Sequence, residues 1–426
     1  MAKVVVGMLG FGTVGTGVIR ILSGHSGITL KKVAVREPGK VRALLAPCPI
    51  TDNAMELVDD PEIEVIIEVM GGEHPALDLL TAAIEKRKHI VTANKEVLAK
   101  HGPELFKSAA SKGVAIFFEA SVAGGIPLIS TIHKGLEANQ ISSVTGILNG
   151  TTNFILSSME EKGEDFNTAL QKAQDLGFAE TDPTADIEGF DVAYKLSILT
   201  ALAFGNFANP KDINRKGITS VIPEDFKHAR DLGYRLKLLG STRSTPDGSI
   251  DVRVQPSLVP ILHPLANVSG GNNGIVVDGD AVGELMMVGP GAGELPTASA
   301  VVGDLINLAS ALKLPDFASY FQASIEPGWA KLADPGKRMS PYYLRLEVHD
   351  HPGVIGQIGT IFGAHDLSIR NIMQSGVSYD HASIIIITQA VKEANMDAAL
   401  AEMATKEFLK SVAACLPIYT AGGKHA

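Results

Sequence analysis

The sequence predicts an α/β chain: a parallel sheet wrapped by helices, an α+β unit in the middle, and a small βαββαβ unit at the C-terminal end. Three observations carry this reading. Apolar strand-sized runs alternate with helix-sized amphipathic ones from residue 3 to about residue 120. A glycine-rich turn, GFGTVG, joins the first strand to the first helix. From Tyr342 onward the pattern reads strand, helix, strand, strand, helix, strand. With 426 residues, 45% of them hydrophobic, the chain can bury two or three cores. A net charge of −10 and the lack of a basic run argue against a nucleic-acid surface.

The first strand, KVVVGMLG over residues 3–10, runs directly into the glycine turn and then into a helix with apolar Val14, Val18, Ile19 and Leu22. In this strand–turn–helix setting Gly10, Gly12 and Gly15 read as a Rossmann dinucleotide site. Gly10 permits the turn, Gly12 lets backbone approach a pyrophosphate, and Gly15 allows close helix–strand packing. Phe11 lies within the turn, and the N–H groups of Thr13 and Val14 open the helix toward phosphate oxygens. The second strand, LKKVAVRE, brings Arg36 to a point 21 residues beyond Gly15, where an NAD-type fold places an acid. A guanidinium there favours a ribose 2′-phosphate, so NADP(H) is the preferred cofactor, and Glu37 keeps NAD(H) open. EVIIEVMGG, helix 75–87, HIVTA and VAIFFEA continue the alternation of a parallel sheet.

Two loops follow strands of this sheet. TANKE presents Asn94 and Lys95 where open α/β sheets bind ligands, and EASVAGGIP reads first as a plain turn, with small residues able to gather carbonyl groups around a cation as the other reading. Further on, AQDLGFAETDPTADIEGFDVAYK packs five acids from Glu180 to Asp191, and then Lys195, into an otherwise apolar stretch. A helix from Ala185 to Phe204 is expected, on which Glu188, Asp191 and Lys195 share one face. Acids and a lysine on one face suit a small zwitterion; an ordinary surface Asp–Lys pair is the competing reading.

Residues 205–340 read as a helix over Glu224–Leu239, strands near 250–260 and 274–288, and a long helix from Gly293 to Leu312. His263 reads as a packed or surface histidine. The stretch 326–341, EPGWAKLADPGKRMSP, reads as a linker. Beyond it come strand YYLRLEVH, loop DHPGV, helix Ile355–Ala364, strands LSIRNIMQSG and HASIIIITQ, helix 393–407 and strand VAACLPIY. This is a ferredoxin-like order. YYLRLEVHDHPGVIGQI resembles the ACT domain, a sensor of small ligands, in which Asp350, Gly353 and Val354 would face an effector; a unit used only for subunit pairing is the competing reading.

Taken in order, the segments resemble homoserine dehydrogenase. Ala173, Gly177, Asp182, Pro183, Asp186, Gly189, Asp191 and Lys195 meet the family signature, and ANK, EASVAGGIP, GILNGTTNFIL and GPGAGELPTASAVVGDL accompany it. The resemblance implies NAD(P)-dependent interconversion of L-aspartate 4-semialdehyde and L-homoserine, on the route to threonine and methionine. It implies Lys195 as proton donor and acceptor with Lys95 beside it. It implies Glu180, Asp191 and Asp186 around the substrate ammonium, with Gly150 and Thr151 in a substrate loop. Cofactor contacts are implied for Gly10, Phe11, Gly12, Thr13, Val14, Gly15, Arg36, Thr92, Lys95, Gly177, Gly291 and Gly293. A sodium-like cation is implied on Glu119 and the carbonyls of Val122, Gly124 and Ile126.

The expected organisation is a Rossmann domain over 1–130, completed by a helix at about 291–325, and a substrate and dimerisation domain over 131–325. A linker over 326–341 and an ACT domain over 342–426 follow, the latter with threonine as expected effector. A single-function enzyme is expected, since the first strand starts at Lys3. A homodimer or homotetramer in the cytoplasm, without membrane or nucleic-acid partners, is expected as well. Cys48 and Cys415 match no metal or disulfide spacing. From a different class, a catalytically silent amino-acid or redox sensor on the same scaffold is the alternative.

Overall fold

A computed structural model describes residues 3–42, 44–312, 325–378 and 380–421, without the side chains of residues 377 and 378. The first sheet contains β1 (Val4–Leu9), β2 (Ile28–Ala34), β3 (Ile50–Thr51), β4 (Val65–Glu68), β5 (His89–Thr92) and β6 (Ile116–Phe117). All pair in parallel, in the order β3-β2-β1-β4-β5-β6. β4 (VIIE) is buried along its whole length because both faces of the sheet are covered. The strand order reverses between β1 and β4, which opens a crevice at their C-terminal ends. GFGTVG sits at that crevice, leading into the helix Thr13–Leu22. The two-residue edge strand β3 has no counterpart in the sequence reading.

The helix Glu294–Ala311 returns to this layer. Ala298, Val301, Val302, Leu305 and Leu308 share a core with Val6, Met8, Val18 and Val33. A Cβ on Gly17 would lie 2.6 Å from the Glu294 carbonyl oxygen, so the two helices meet backbone to backbone. Residues 313–324, where the expected helix continues toward 325, lie outside the described residues, as do 1–2 and 422–426.

A second, mixed sheet is built from β7 (Ile141–Ile147), β8 (Asn214–Arg215), β9 (Tyr234–Ser244), β10 (Ile250–Pro260), β11 (Asn272–Gly279) and β12 (Gly283–Pro290), in the order β12-β11-β7-β9-β10-β8. The helices Gly150–Lys162 and Phe190–Phe204 pack against it. Two expectations are corrected here. The helix expected to reach Leu239 ends at Asp231, and residues 234–244 pair with β10 along their full length. Leu232, Leu236 and Leu239 mimic a helical period, but Gly233 at φ 83° stops the helix. Likewise the helix expected over Ala185–Phe204 is two helices, Thr184–Ile187 and Phe190–Phe204, divided at Gly189 with φ 79°. The break takes Glu188 off the face that carries Asp191 and Lys195.

The C-terminal unit holds β13 (Met339–Ser340), β14 (Tyr342–Val348), β15 (Ile369–Ser378), β16 (His381–Thr388), β17 (Val391–Lys392) and β18 (Leu409–Pro417). Its main sheet is antiparallel in the order β15-β16-β14-β18, with the helices Val354–Ala364 and Glu393–Met403 completing the βαββαβ pattern. Leu344, Leu346, Ile384 and Ile386 pack into the unit's own core, while Tyr343, Ile385 and Ile387 join the core of the central domain. This alternation along β14 and β16 follows from the period of two. Arg345 extends the junction, donating through Nε to Asp225 at 2.9 Å. The segment expected as a linker is stitched down by Phe207 N to the Gly328 carbonyl at 3.0 Å and Ile250 N to the Lys331 carbonyl at 2.9 Å.

Candidate active site

The glycines of the first turn behave as their spacing requires. Gly10 has φ 104°, a Cβ on Gly15 would stand 2.6 Å from the Gly10 carbonyl oxygen, and a Cβ on Gly12 would meet nothing within 4 Å. Gly12 therefore leaves an open approach for a ligand backbone. It also precedes the helix without a side-chain cap, so first-turn N–H groups point to that opening. Phe11 forms one wall, and the Arg42 guanidinium lies over its ring at 5.3 Å. Arg42 donates to the carbonyls of Glu37, Pro38 and Lys40, shaping the loop that follows exposed Arg36. These residues fit a dinucleotide phosphate at the turn.

Thr92, at the end of β5, donates to the buried Glu68 carboxylate at 2.6 Å. Burial pushes the Glu68 carboxyl up, and hydrogen bonds from Thr92 and the N–H groups of Met70 and Gly71 push back. Asn94 caps the following helix by accepting from Val97 N at 3.1 Å, which starts that helix at Lys95. Lys95 is thus delivered from the crevice toward the central domain.

There the Lys95 ammonium meets Asp191 Oδ1 at 2.9 Å. Asp191 Oδ2 accepts from Lys195 Nζ at 2.6 Å, one turn along the same helix, and from Asn149 Nδ2 at 3.0 Å. Lys195 also donates to the Leu148 carbonyl at 2.6 Å. Asn149 reaches Asp186 Oδ1 at 2.7 Å and joins the four charged side chains into one cluster. Burial would push the Asp191 carboxyl up, but Lys195 and Lys95 outweigh it and hold the group below the usual carboxylate range. For Lys195 burial wins: its pKa falls below the ordinary lysine value although Asp191 favours the ammonium. The Lys95 side chain, 41% exposed, is instead raised, chiefly by the Asp191 charge. Burial, and then the Asp191 charge, raise Asp186.

Lys195, Lys95, Asp191 and Asp186 come together as expected from the sequence, whereas Glu180 is exposed and no ion pair of its carboxylate occurs among the described residues. Gly150 abuts Gly271, with a Cβ at 2.6 Å from its carbonyl oxygen, and Thr151 donates to the Phe178 carbonyl at 2.7 Å. Gly177 takes the left-handed turn that precedes Phe178, on this side of the molecule. Asn149 is the residue the sequence reading passed over. Its cue was an Asn directly before a helix, where the side chain accepts from Thr152 N at 2.8 Å.

Loop 122–126 stacks on the segment holding Gly291 and Gly293. Gly125 N donates to the Pro290 carbonyl at 3.1 Å, and a Cβ on Gly124 would lie 2.6 Å from the Gly291 carbonyl oxygen. The Val122 and Gly124 carbonyls accept no hydrogen bond among the described residues, while that of Ile126 accepts from Leu128 N at 2.7 Å. The buried Glu119 carboxylate accepts from Ile129 N and Ser130 N, both at 2.8 Å. Hard oxygen donors of this kind fit a small cation.

In the C-terminal unit Val348, Asp350, His351, Gly353, Val354 and Gln374 line a cleft. His263 is packed, facing Glu284 at 3.2 Å and the Tyr419 ring at 5.0 Å. Burial raises the Cys48 and Cys415 thiols to about 11 and about 12, so neither is poised as a thiolate. No helix among the described residues is long and apolar enough to cross a membrane.

A dinucleotide crevice facing a buried lysine–carboxylate cluster defines an NAD(P)-dependent oxidoreductase, here with an appended small-ligand unit. Residues 10–119 match the NAD-binding domain of homoserine dehydrogenase, 127–306 the homoserine dehydrogenase family, and 342–406 the ACT domain. A homoserine dehydrogenase of Synechocystis sp. is 40% identical over 96% of this chain and 97% of its own. The crystal structure of a homoserine dehydrogenase from Thiobacillus denitrificans superposes with a TM-score of 0.93 at 39% identity, covering 98% of this chain and 99% of that one. A hyperthermophilic archaeal homoserine dehydrogenase in complex with NADPH is similar at 27% identity and a TM-score of 0.63, over 74% of this chain and 99% of its own. The chain belongs to the homoserine dehydrogenase family.

Proposed function

We propose that the Asp191-centred cluster carries the family's reaction in this chain: reversible, NAD(P)H-dependent reduction of L-aspartate 4-semialdehyde to L-homoserine. The observation that carries the assignment is the hydrogen bonding of Lys195. Two of its three N–H donors are fixed by Asp191 and Leu148, both at 2.6 Å, which leaves the third for a substrate oxygen. When bound, the reduced nicotinamide supplies the hydride. As negative charge grows on the aldehyde oxygen, the Lys195 ammonium stabilises it and gives up a proton. In the reverse direction neutral Lys195 takes the hydroxyl proton, a role favoured by its lowered pKa. Half-exposed Lys95 keeps its charge and supports the same oxygen. Asp191 and Asp186 hold the substrate ammonium, with Glu180 at the rim and Gly150 and Thr151 forming the wall.

NADP(H) is the preferred cofactor, supported by exposed Arg36 beyond β2 and by the NADPH bound to the archaeal relative. Sodium on Glu119, Val122, Gly124 and Ile126 would brace the loop against Gly291. Threonine is the effector of the C-terminal cleft: Asp350 suits its ammonium, and the helix start after Gly353 suits its carboxylate. The test is Lys195→Ala. It should lower kcat by at least ~10²-fold while NADPH still binds; near-normal turnover would remove Lys195 from the chemistry.

A further inference from the structure

We propose that Asn273 is a positioning residue for Lys195, acting through the Leu148 carbonyl. Asn273 is the second residue of β11 and lies beside Leu148, since the next residue, Gly274, pairs with Ile147 on β7. It is fully buried, at 0% exposure. Its Nδ2 donates to the Leu148 carbonyl oxygen at 3.2 Å, the same oxygen that accepts from Lys195 Nζ at 2.6 Å. One carbonyl thus has both lone-pair directions assigned, one to the catalytic ammonium and one to an amide that aims it.

Two further observations mark Asn273 as more than filler. Its Oδ1 is buried without a hydrogen-bond partner among the described residues, an arrangement that native structures seldom keep without a reason. And its amide lies directly beneath Gly291: a Cβ there would fall 2.2 Å from the Asn273 amide atoms. Only a glycine lets the 291–293 segment, which rests on the cation loop, come down onto Asn273. The amide therefore links the carbonyl that anchors Lys195 to the 291–293 segment. This inference rests on Lys195 being the proton donor and acceptor.

The test compares Asn273→Leu with the near-isosteric Asn273→Asp, whose ionised carboxylate has no N–H to donate. Asn273→Leu should lower kcat at least ~10-fold with KM and the NADPH dissociation constant, read by fluorescence titration, within about threefold of wild type. The pH limb for homoserine oxidation should move down, because the ammonium loses an aligned acceptor. Asn273→Asp should lower kcat similarly but move the limb up, since an added negative charge favours the ammonium. If Asn273→Leu does not fold, Asn273→Asp decides alone. A folded variant of either kind with wild-type kcat and an unmoved limb overturns the proposal. A Lys195→Ala enzyme that retains turnover would instead overturn the parent assignment, which keeps the two failures distinct.

Discussion

Asp191 and Lys195 stand one helical turn apart, and the 2.6 Å bond between them is closed off from solvent, with the two side chains 8% and 10% exposed. The other Asp191 oxygen faces Lys95 at 2.9 Å. One carboxylate thus serves two lysines whose surroundings differ. The buried lysine is lowered and the half-exposed one is raised. Groups of like type driven apart by environment are suited to different tasks, one exchanging a proton and one keeping a fixed charge.

This sets the pH dependence. Homoserine oxidation needs neutral Lys195, so activity should rise with pH and reach half its plateau below 10.5, the ordinary lysine value. Reduction needs the ammonium and should fall over the same limb. Asp191→Asn removes the main group favouring the charged form and should move the limb further down. The measurement is kcat/KM against pH in both directions. An upward shift would contradict the assignment.

Arg36 bears on cofactor choice. Arg36→Asp should favour the ribose 2′-hydroxyl over a 2′-phosphate and lower the NADPH-to-NADH ratio of kcat/KM by about tenfold or more. An unchanged ratio would transfer the preference to Arg42 or elsewhere in the loop.

Lys237 lies outside the site and is 1% exposed, its Nζ donating to the Val268 carbonyl at 2.8 Å. Burial lowers its pKa to about 8. Between about 8 and the unfolded value the folded chain binds fewer protons than the unfolded one, so this group makes stability rise with pH in that window. Below it, both states hold the proton and the cost of the buried charge is at its full value. Lys237→Met should therefore match or exceed wild-type Tm at pH 7, and its advantage should shrink between pH 8 and 10. A Tm difference that stays constant across that range would rule this out.

In the C-terminal cleft, Asp350→Ala should raise the threonine concentration for half-inhibition by at least ~10-fold without changing uninhibited kcat. Deleting the whole unit would be a poorer test, because Tyr343, Ile385 and Ile387 belong to the core shared with the central domain. Unaltered threonine sensitivity in Asp350→Ala would move the effector elsewhere.

What the sequence made legible was periodic or short-range. β1, the glycine turn and the helix Thr13–Leu22 appear within a residue or two of their expected bounds. The i, i+4 spacing of Asp191 and Lys195 survives because both lie on one unbroken helix. The misses have physical causes. Gly189 and Gly233 adopt positive φ, which apolar periodicity does not register, so two helices were expected too long. Asn149 and Asn273 act through side-chain bonds to groups 37 and 125 residues away, and nothing local encodes that reach. The 326–341 segment reads as a linker because it lacks a period, yet its backbone is bound by pairing with Phe207 and Ile250.

The most direct measurement is NADPH consumption on adding L-aspartate 4-semialdehyde to the full chain, with L-homoserine quantified as product. The account predicts one homoserine formed per NADPH oxidised. NADPH that binds but is not consumed would contradict it, and would leave a sensor built on the same scaffold.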